Sequence, residues 1–500
     1  MASKIAQLKA YINELSDIYI SIAFLSWDRR VNMPRGGAEG RAYLLSTLAR
    51  IAHQKATSAE FGHLLDEAAK DAGRLDPDND DARLVKIARR EYLKRTKVPA
   101  RWVEENARVI STAQTVWEEA KAKSNFALFY PHLEKIVALK REYSGFFSPY
   151  EHIYDVFLDD YEPGMKTSEV TALFDIVRLE QVALIKSISQ KPQPGDSFLH
   201  LAYDEKAQLD FGVEVVTRLG FDWNRGRQDK SIHPFTQALG IGDVRFTTRF
   251  DPEYPLSALF STMHECGHAL YDQGVGKNLQ RTPLSSGISM SLHESQSRMW
   301  ENLVGRSLPF WKFFYPRLQA QFPAQLGNVD LITFYHGINK VEPTFIRVEA
   351  DEATYNLHIM LRLEIEIALL EGKLEVKDLP EAWNMRISEY LGITPPDDGH
   401  GVLQDVHWSG GNFGYFPTYA LGNLVSVQLW EAMLKDIPDL TGQIEEGNFK
   451  PLLGWMREKI HKHGAKFEPQ EMIEKATGSR MDPKPYLNYL KGKYSEIYKL

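Results

Sequence analysis

At the start of the chain the apolar positions Ile5, Leu8, Ile12, Leu15, Tyr19 and Ile22 recur at alternating spacings of three and four, the pattern of one helix face. Packing of that face onto the body of the same chain accounts for it better than a coiled coil. Long helical patterns follow over Ala82 to Lys97, Trp102 to Lys123 and Phe126 to Phe147, with Asp76-Pro77 and Pro163-Gly164 as punctuation. After Gly240 the period changes. DVRFTTRF alternates Val244, Phe246, Thr248 and Phe250 with Asp243, Arg245, Thr247 and Arg249, which predicts a strand. Pro252 and Pro255 break the chain, and Leu256, Leu259, Phe260, Met263, Gly267 and Leu270 then return at helical spacing until Gly274 and Gly276 stop it. Leu357 to Leu370 and Leu421 to Lys435 read as further helices, and the glycine-rich stretch His400 to Gly422 as a structured loop. Without tandem repeats or low-complexity linkers, the simplest architecture is one mainly α unit over residues 1–500, folded as two helical lobes about a cleft.

Composition narrows the class. Hydrophobic side chains at 43% and charged ones at 25% suit a globular chain with a large core and exclude a disordered one. No apolar run approaches the roughly 18 residues a membrane span needs. The amino terminus, MASKIAQLKAYINELSD, has neither an apolar signal core nor a small-residue cleavage site, so a cytoplasmic location is expected. The formal charge of −8 is mild and its signs are interspersed, which argues against nucleic acid as a partner. A single cysteine, Cys266, excludes an intrachain disulfide.

The chemistry concentrates at HECGH, His264 to His268, in the middle of the helix that follows the strand. Residues four apart in a helix differ by about 40° in azimuth, so His264 and His268 present two imidazoles from one face. A catalytic zinc site takes three protein ligands and leaves one position open. Glu294 in SLHESQSRMWEN is the best third ligand, on a second helix packed antiparallel to the first, and His293 is its rival. A two-histidine, one-glutamate set leaves His293 a structural or supporting part. Glu265 projects about 100° from His264, where it can reach a water at the ion and serve as general base. Cys266, about 200° from the ligands, reads as a small buried hydrophobe. The strand before the motif offers an edge for an extended peptide, or is an ordinary core strand in which Asp243 and Arg245 pair and shape the cleft floor.

With these residues in hand, the chain resembles the carboxypeptidase Taq family of metallocarboxypeptidases over nearly its whole length. The resemblance rests on HPF at His233 to Phe235, DVRFT at Asp243 to Thr247, HECGH, and HESQ at His293 to Gln296. It also rests on IRVEAD at Ile346 to Asp351, GVLQDVHW at Gly401 to Trp408, SWDRRVNMPRGG at Ser26 to Gly37 and YDVFLDDYEPGM at Tyr154 to Met165. It implies a large helical fold related to neurolysin and angiotensin-converting enzyme, with a deep cleft and a small sheet beside the motif helix, usually as a homodimer. It implies release of single residues from peptides with a free terminal carboxylate, broad side-chain tolerance, and zinc or cobalt held by His264, His268 and Glu294 with Glu265 as the catalytic carboxylate. Arg347 is implied to grip the terminal carboxylate, which suits a planar guanidinium. His407 with Tyr415 is implied to assist the developing oxyanion, while DVHWSGGNFGYFPTY leaves Tyr419 open as the alternative. His233 is a weaker candidate for substrate binding, and Arg245 a candidate through the cleft floor. The amino-terminal helices, to about residue 120, are expected to act as a lid. An oligopeptidase cutting internal bonds and a non-enzymatic peptide-binding protein are the competing readings.

Overall fold

A computed structural model describes residues 3–251 and 255–500, so Pro252 lies outside the described residues. Helix α1 (Lys4–Val31) starts at Ser3, whose Oγ accepts from the Ala6 amide at 3.2 Å, and it buries Ile5, Leu8, Ile12 and Leu15. Tyr19 departs from the expected face: it is 36% exposed, and its hydroxyl takes a hydrogen bond from Arg95 instead of packing inward. Helices α2 (Ala38–Ala56), α3 (Ala59–Ala72) and α4 (Asp80–Lys97) follow. Ile5, Leu8, Phe61, Leu65, Leu84 and Val85 of α1, α3 and α4 form a core separate from the main one, which Ile241, Val275, Leu279 and Leu284 of the body complete, and Leu15 meets Ala52 and Ala56 of α2 in another, smaller one. Helices α5 (Ala100–Ala122) and α6 (Phe126–Gly145) belong instead to the main core, through Trp102, Val109, Ala113, Phe129 and Leu133. The amino-terminal helices are thus packed onto the segment that follows the motif helix, and α5 is the first helix to join the main core.

The sheet has three strands in the order β1 (Gly226–Lys230), β3 (Val244–Thr248), β2 (Thr236–Ala238). β1 runs parallel to β3 with Gly226 opposite Val244, and β2 runs antiparallel to it with Thr236 opposite Phe246. The strand anticipated from DVRFTTRF is thus the central one, hydrogen-bonded on both sides, and has no free edge for a peptide. It stops at Thr248, and its expected alternation fails at Thr247, which is as buried as Phe246. The reason is local: Thr247 Oγ1 accepts from the Phe235 amide at 3.0 Å and shares a hydrogen bond with Ser231 Oγ at 2.6 Å, so β2's approach covers that face too.

Three helices complete the frame of the site: the motif helix Pro255–Gly274, the Glu294 helix Met290–Arg298, and the helix Pro417–Asp436. The last begins four residues before the expected Leu421, because Pro417 occupies its first turn, where a missing N–H costs nothing. Tyr419 therefore sits on a helix and not in the loop. Tyr355–Glu371, another long helix, is buried almost all round and carries Asn356, His358, Arg362 and Glu366 among its aliphatic residues.

Candidate metal centre and active site

Leu256, Leu259, Phe260, Met263, Ala269 and Leu270 seat the motif helix in the main core, and Cys266 is wholly buried with them, its thiol pushed up by burial. The Glu294 helix starts at Ser289, whose Oγ accepts from the Leu292 amide at 3.2 Å. Two glycines bring the helices together. A Cβ on Gly267, inside the motif, would lie 2.7 Å from both the Gln296 carbonyl oxygen and Ser297 Cα. A Cβ on Gly422 would lie 2.6 Å from Glu294 Cγ. Only glycine permits these approaches, which drive the Glu294 carboxylate toward the imidazoles.

The result is one cluster of donors. Ligand atoms of His264, His268 and Glu294 all lie within 4.8 Å of one another. Glu294 Oε2 stands 3.7 Å from His264 Nε2 and 3.6 Å from His268 Nε2. The other ring nitrogens are already engaged. His264 Nδ1 meets Glu301 Oε2 at 2.9 Å, and Arg298 ties the two carboxylates by donating to Glu294 Oε1 at 2.7 Å and to Glu301 Oε2 at 3.3 Å. Burial would push the Glu301 carboxyl up, but Arg298 and His264 outweigh it and hold it down at about 2. His268 Nδ1 meets His293 Nδ1 at 2.6 Å, and His293 Nε2 meets Asp272 Oδ1 at 3.2 Å. In the tautomer where neutral His293 donates from Nε2 to Asp272, its Nδ1 accepts from His268, which leaves the His268 Nε2 lone pair facing Glu294. His293 thus stands behind His268. Two Nε2 atoms aimed at one carboxylate oxygen, each ring braced at Nδ1, fit a divalent ion.

Glu265 is 7% exposed, and burial pushes its carboxyl up. Thr236 of β2 holds it, donating from Oγ1 to Glu265 Oε2 at 2.7 Å with the Glu265 carbonyl oxygen also within 2.9 Å. β2 is therefore the strand that reaches Glu265, while β3 meets the motif helix one turn earlier, where Thr248 Oγ1 and Thr262 Oγ1 lie 2.8 Å apart.

A second cluster gathers the residues of the two later motifs. Arg347, 5% exposed, donates to Asp405 Oδ1 from Nε at 3.2 Å and from Nη2 at 2.7 Å, and from Nη1 to Tyr355 Oη at 2.9 Å. Its ion-pair partner is Asp405 and neither Glu349 nor Asp351; Asp351 caps the next turn by accepting from Ala353 and Thr354. The Arg347 guanidinium lies 5.0 Å from the Tyr419 ring centroid, Tyr419 Oη is 3.4 Å from His407 Nε2, and the Tyr415 and Tyr419 rings meet edge to face at 5.2 Å. Burial pushes Tyr415 up to about 12, with the nearby Glu294 charge adding to it, and Gly422 on the helix that carries Tyr419 packs against Glu294. Arg298 spans the two clusters, its guanidinium 4.3 Å from the Tyr355 ring. Arg245 does not join them: Asp243 accepts from it twice at 2.7 Å, and Trp27 and Phe24 of α1 lie 4.6 and 5.3 Å from its guanidinium. His233 is exposed in the turn between β1 and β2.

Fold and donor set together define a helical metallopeptidase. More narrowly, the chain belongs to the carboxypeptidase Taq (M32) metallopeptidase family, whose sequence model matches residues 7–494. It is 42% identical over 486 residues to thermostable carboxypeptidase 1 of Thermus thermophilus, covering 95% of each chain. It is 39% identical to carboxypeptidase 1 of Bacillus subtilis, covering 98% of this chain and 97% of the relative. The solved structure of the M32 carboxypeptidase from Deinococcus radiodurans R1 superposes with a TM-score of 0.97 at 40% identity, over 99% of this chain and 100% of the other. The chain is accordingly a metallocarboxypeptidase, dependent on a divalent metal, that acts on peptides. No helix among the described residues is long and apolar enough to cross a membrane.

Proposed function

We propose that this chain is a cytoplasmic, homodimeric zinc carboxypeptidase that releases single carboxy-terminal amino acids with broad side-chain tolerance, cobalt serving as a substitute metal. One observation carries the reading: the His264, His268 and Glu294 donor atoms converge within 4.8 Å beside a buried Glu265. In it those three residues hold the ion. Bound there, the ion supplies Lewis acidity, polarising a carbonyl and lowering the pKa of water toward about 7.

The protein's own groups do the rest. Thr236 anchors Glu265 Oε2, so Oε1 takes the proton of the attacking water and returns it to the leaving amine. Arg347 binds the terminal carboxylate. Asp405 takes its Nε and one Nη2 proton and Tyr355 one Nη1 proton, which leaves one N–H on each terminal nitrogen for a planar, two-point contact. His407 is pushed down to about 4 by burial, so near neutral pH it is an uncharged donor, placed with Tyr415 and Tyr419 to stabilise the oxyanion. The chain is one peptidase unit in which α1 to α4, packed apart from the main core, are the part able to act as a lid. Arg245 serves the fold through Asp243, and the exposed His233 is left to contact substrate only at the rim.

Mass spectrometry of a free-acid peptide and its amide, with metal-loaded protein and a chelated control, tests this. Stepwise loss of single residues from the free acid alone, abolished by chelation, is expected. Internal fragments from both peptides would indicate an endopeptidase and overturn the reading.

A further inference from the structure

Arg362 is wholly buried, one helical turn beyond His358, whose carbonyl accepts from it. Its Nε donates to Asp405 Oδ2 at 2.8 Å, its Nη2 stands 2.6 Å from the same oxygen, and the Trp383 and Phe416 rings pack at 4.5 and 5.3 Å from its guanidinium. Arg347 occupies the other oxygen of that carboxylate. Two guanidiniums thus share one carboxylate, and among the described residues no second carboxylate forms an ion pair with either. The neighbouring titratable groups offset this charge only in part. His358 is held far below its usual range by burial and is neutral, as is His407. Glu366, the next turn along, is pushed up to about 7 by burial, although Tyr154, Trp408 and the Gly414 amide donate to it and the Arg362 charge pulls it down, so it cancels no more than part of that charge.

Burying an arginine is expensive, and a packed hydrophobe of similar volume would serve stability as well or better. The arrangement makes sense as charge arithmetic. An isolated Arg347–Asp405 pair is neutral and gains little from a second carboxylate. With Arg362 the cluster carries one net positive charge inside a low-dielectric wall, and a bound carboxylate brings it to neutrality.

We propose that Arg362, out of reach of any peptide, supplies the charge that lets Arg347 bind a terminal carboxylate, and that Asp405 positions Arg347 by its Nε edge. The inference rests on the assignment of Arg347 above. Both are positioning residues, since neither touches substrate.

The test is calorimetric binding of a short amino-blocked peptide, as free acid and as amide, to metal-loaded protein in a Glu265→Gln background that prevents turnover. Arg362→Gln is expected to weaken the free acid about tenfold or more and to leave the amide within about threefold. Arg362→Lys, which keeps the charge, is expected to stay within about threefold of the parent for both. The double variant Arg362→Gln with Asp405→Asn removes one charge of each sign and restores the net positive charge. It should therefore regain most of the lost free-acid affinity. A merely structural pair would instead make the double variant the weakest binder and weaken both peptides alike, which would overturn the inference. If Arg362→Gln does not fold, Arg362→Lys and the double variant decide: both binding the free acid no better than the amide would sink it. Arg347→Ala separates the two levels. Should it leave the preference for the free acid intact, the Arg347 assignment itself fails; should it abolish that preference while Arg362→Gln does not, only the present inference fails.

Discussion

The amino-terminal helices and the three helices that frame the donors are built from similar apolar patterns, yet they pack differently. Along α1 to α4 the periodic faces close over small cores apart from the main one, while Tyr43 and Leu44 of α2 stay more than half exposed and charged pairs such as Lys70–Glu67 sit at the surface. Around the donors, polar side chains lie inside the main core and are joined into chains: Asp272 to His293 to His268, and Arg298 to both Glu294 and Glu301. Surface pairs are worth little. The buried chains fix ring orientation and cannot lose one member without leaving another unpaired. Apolar periodicity describes packing in both regions, but only in the second does packing serve to hold polar atoms at set distances.

One substitution made in both regions sharpens that contrast. Gly267→Ala puts a methyl group 2.7 Å from backbone atoms of the Glu294 helix, so we expect a loss of about 3 kcal/mol in thermal or denaturant unfolding, together with weakened metal binding. Next in size is the acid response of the buried network. Burial alone would raise the Asp405 carboxyl, but Arg347 and Arg362 outweigh it and hold it well below the usual carboxylate range. A depressed folded pKa contributes stability that is present above the unfolded value of about 3.9 and is lost as pH falls below it toward the folded value. Unfolding free energies measured by denaturant titration from pH 5 downward should therefore fall more steeply in the parent than in Asp405→Asn, by about 1.4 kcal/mol per pH unit once the pH is below the unfolded value. Parallel slopes would remove Asp405 from the account. Smallest, and of opposite sign to the first, is Gly40→Ala on exposed α2. Nothing lies within 4 Å of the added Cβ there, and it should stabilise by about 0.5–1 kcal/mol. A loss at Gly40 as large as at Gly267 would erase the distinction between the regions.

Much of this was legible in the sequence. Spacing alone placed α4, α5, α6 and the motif helix close to their observed bounds, and it put His264 and His268 on one face. What escaped was set by neighbours distant in sequence. Whether the DVRFTTRF strand is central or edge depends on β1 and β2, which carry no clear alternation of their own. Thr236, Asp272, Glu301 and Asp405 act only because tertiary packing brings them to Glu265, His293, His264 and Arg347. A faint signal existed for some of them. Glu301 lies seven residues after Glu294, two turns along one face, with Arg298 between them at the four-residue spacing of a helical ion pair. Gly267 read simply as one position of the helix repeat, since a demand for absent volume leaves no periodic mark. Pro417 did carry the helix start, as prolines in a first turn do.

Catalysis in this protein rests on a division of labour between Glu265 and the residues proposed to hold the ion. The most direct measurement is metal stoichiometry by mass spectrometry of the dialysed protein, alongside the rate of single-residue release, for the parent, Glu294→Gln, His264→Ala and Glu265→Gln. The account predicts about one ion per chain in the parent and in Glu265→Gln, with the rate in the latter reduced at least about a thousandfold, and little metal in the other two. Loss of metal from Glu265→Gln, or full metal retention in His264→Ala, would contradict it.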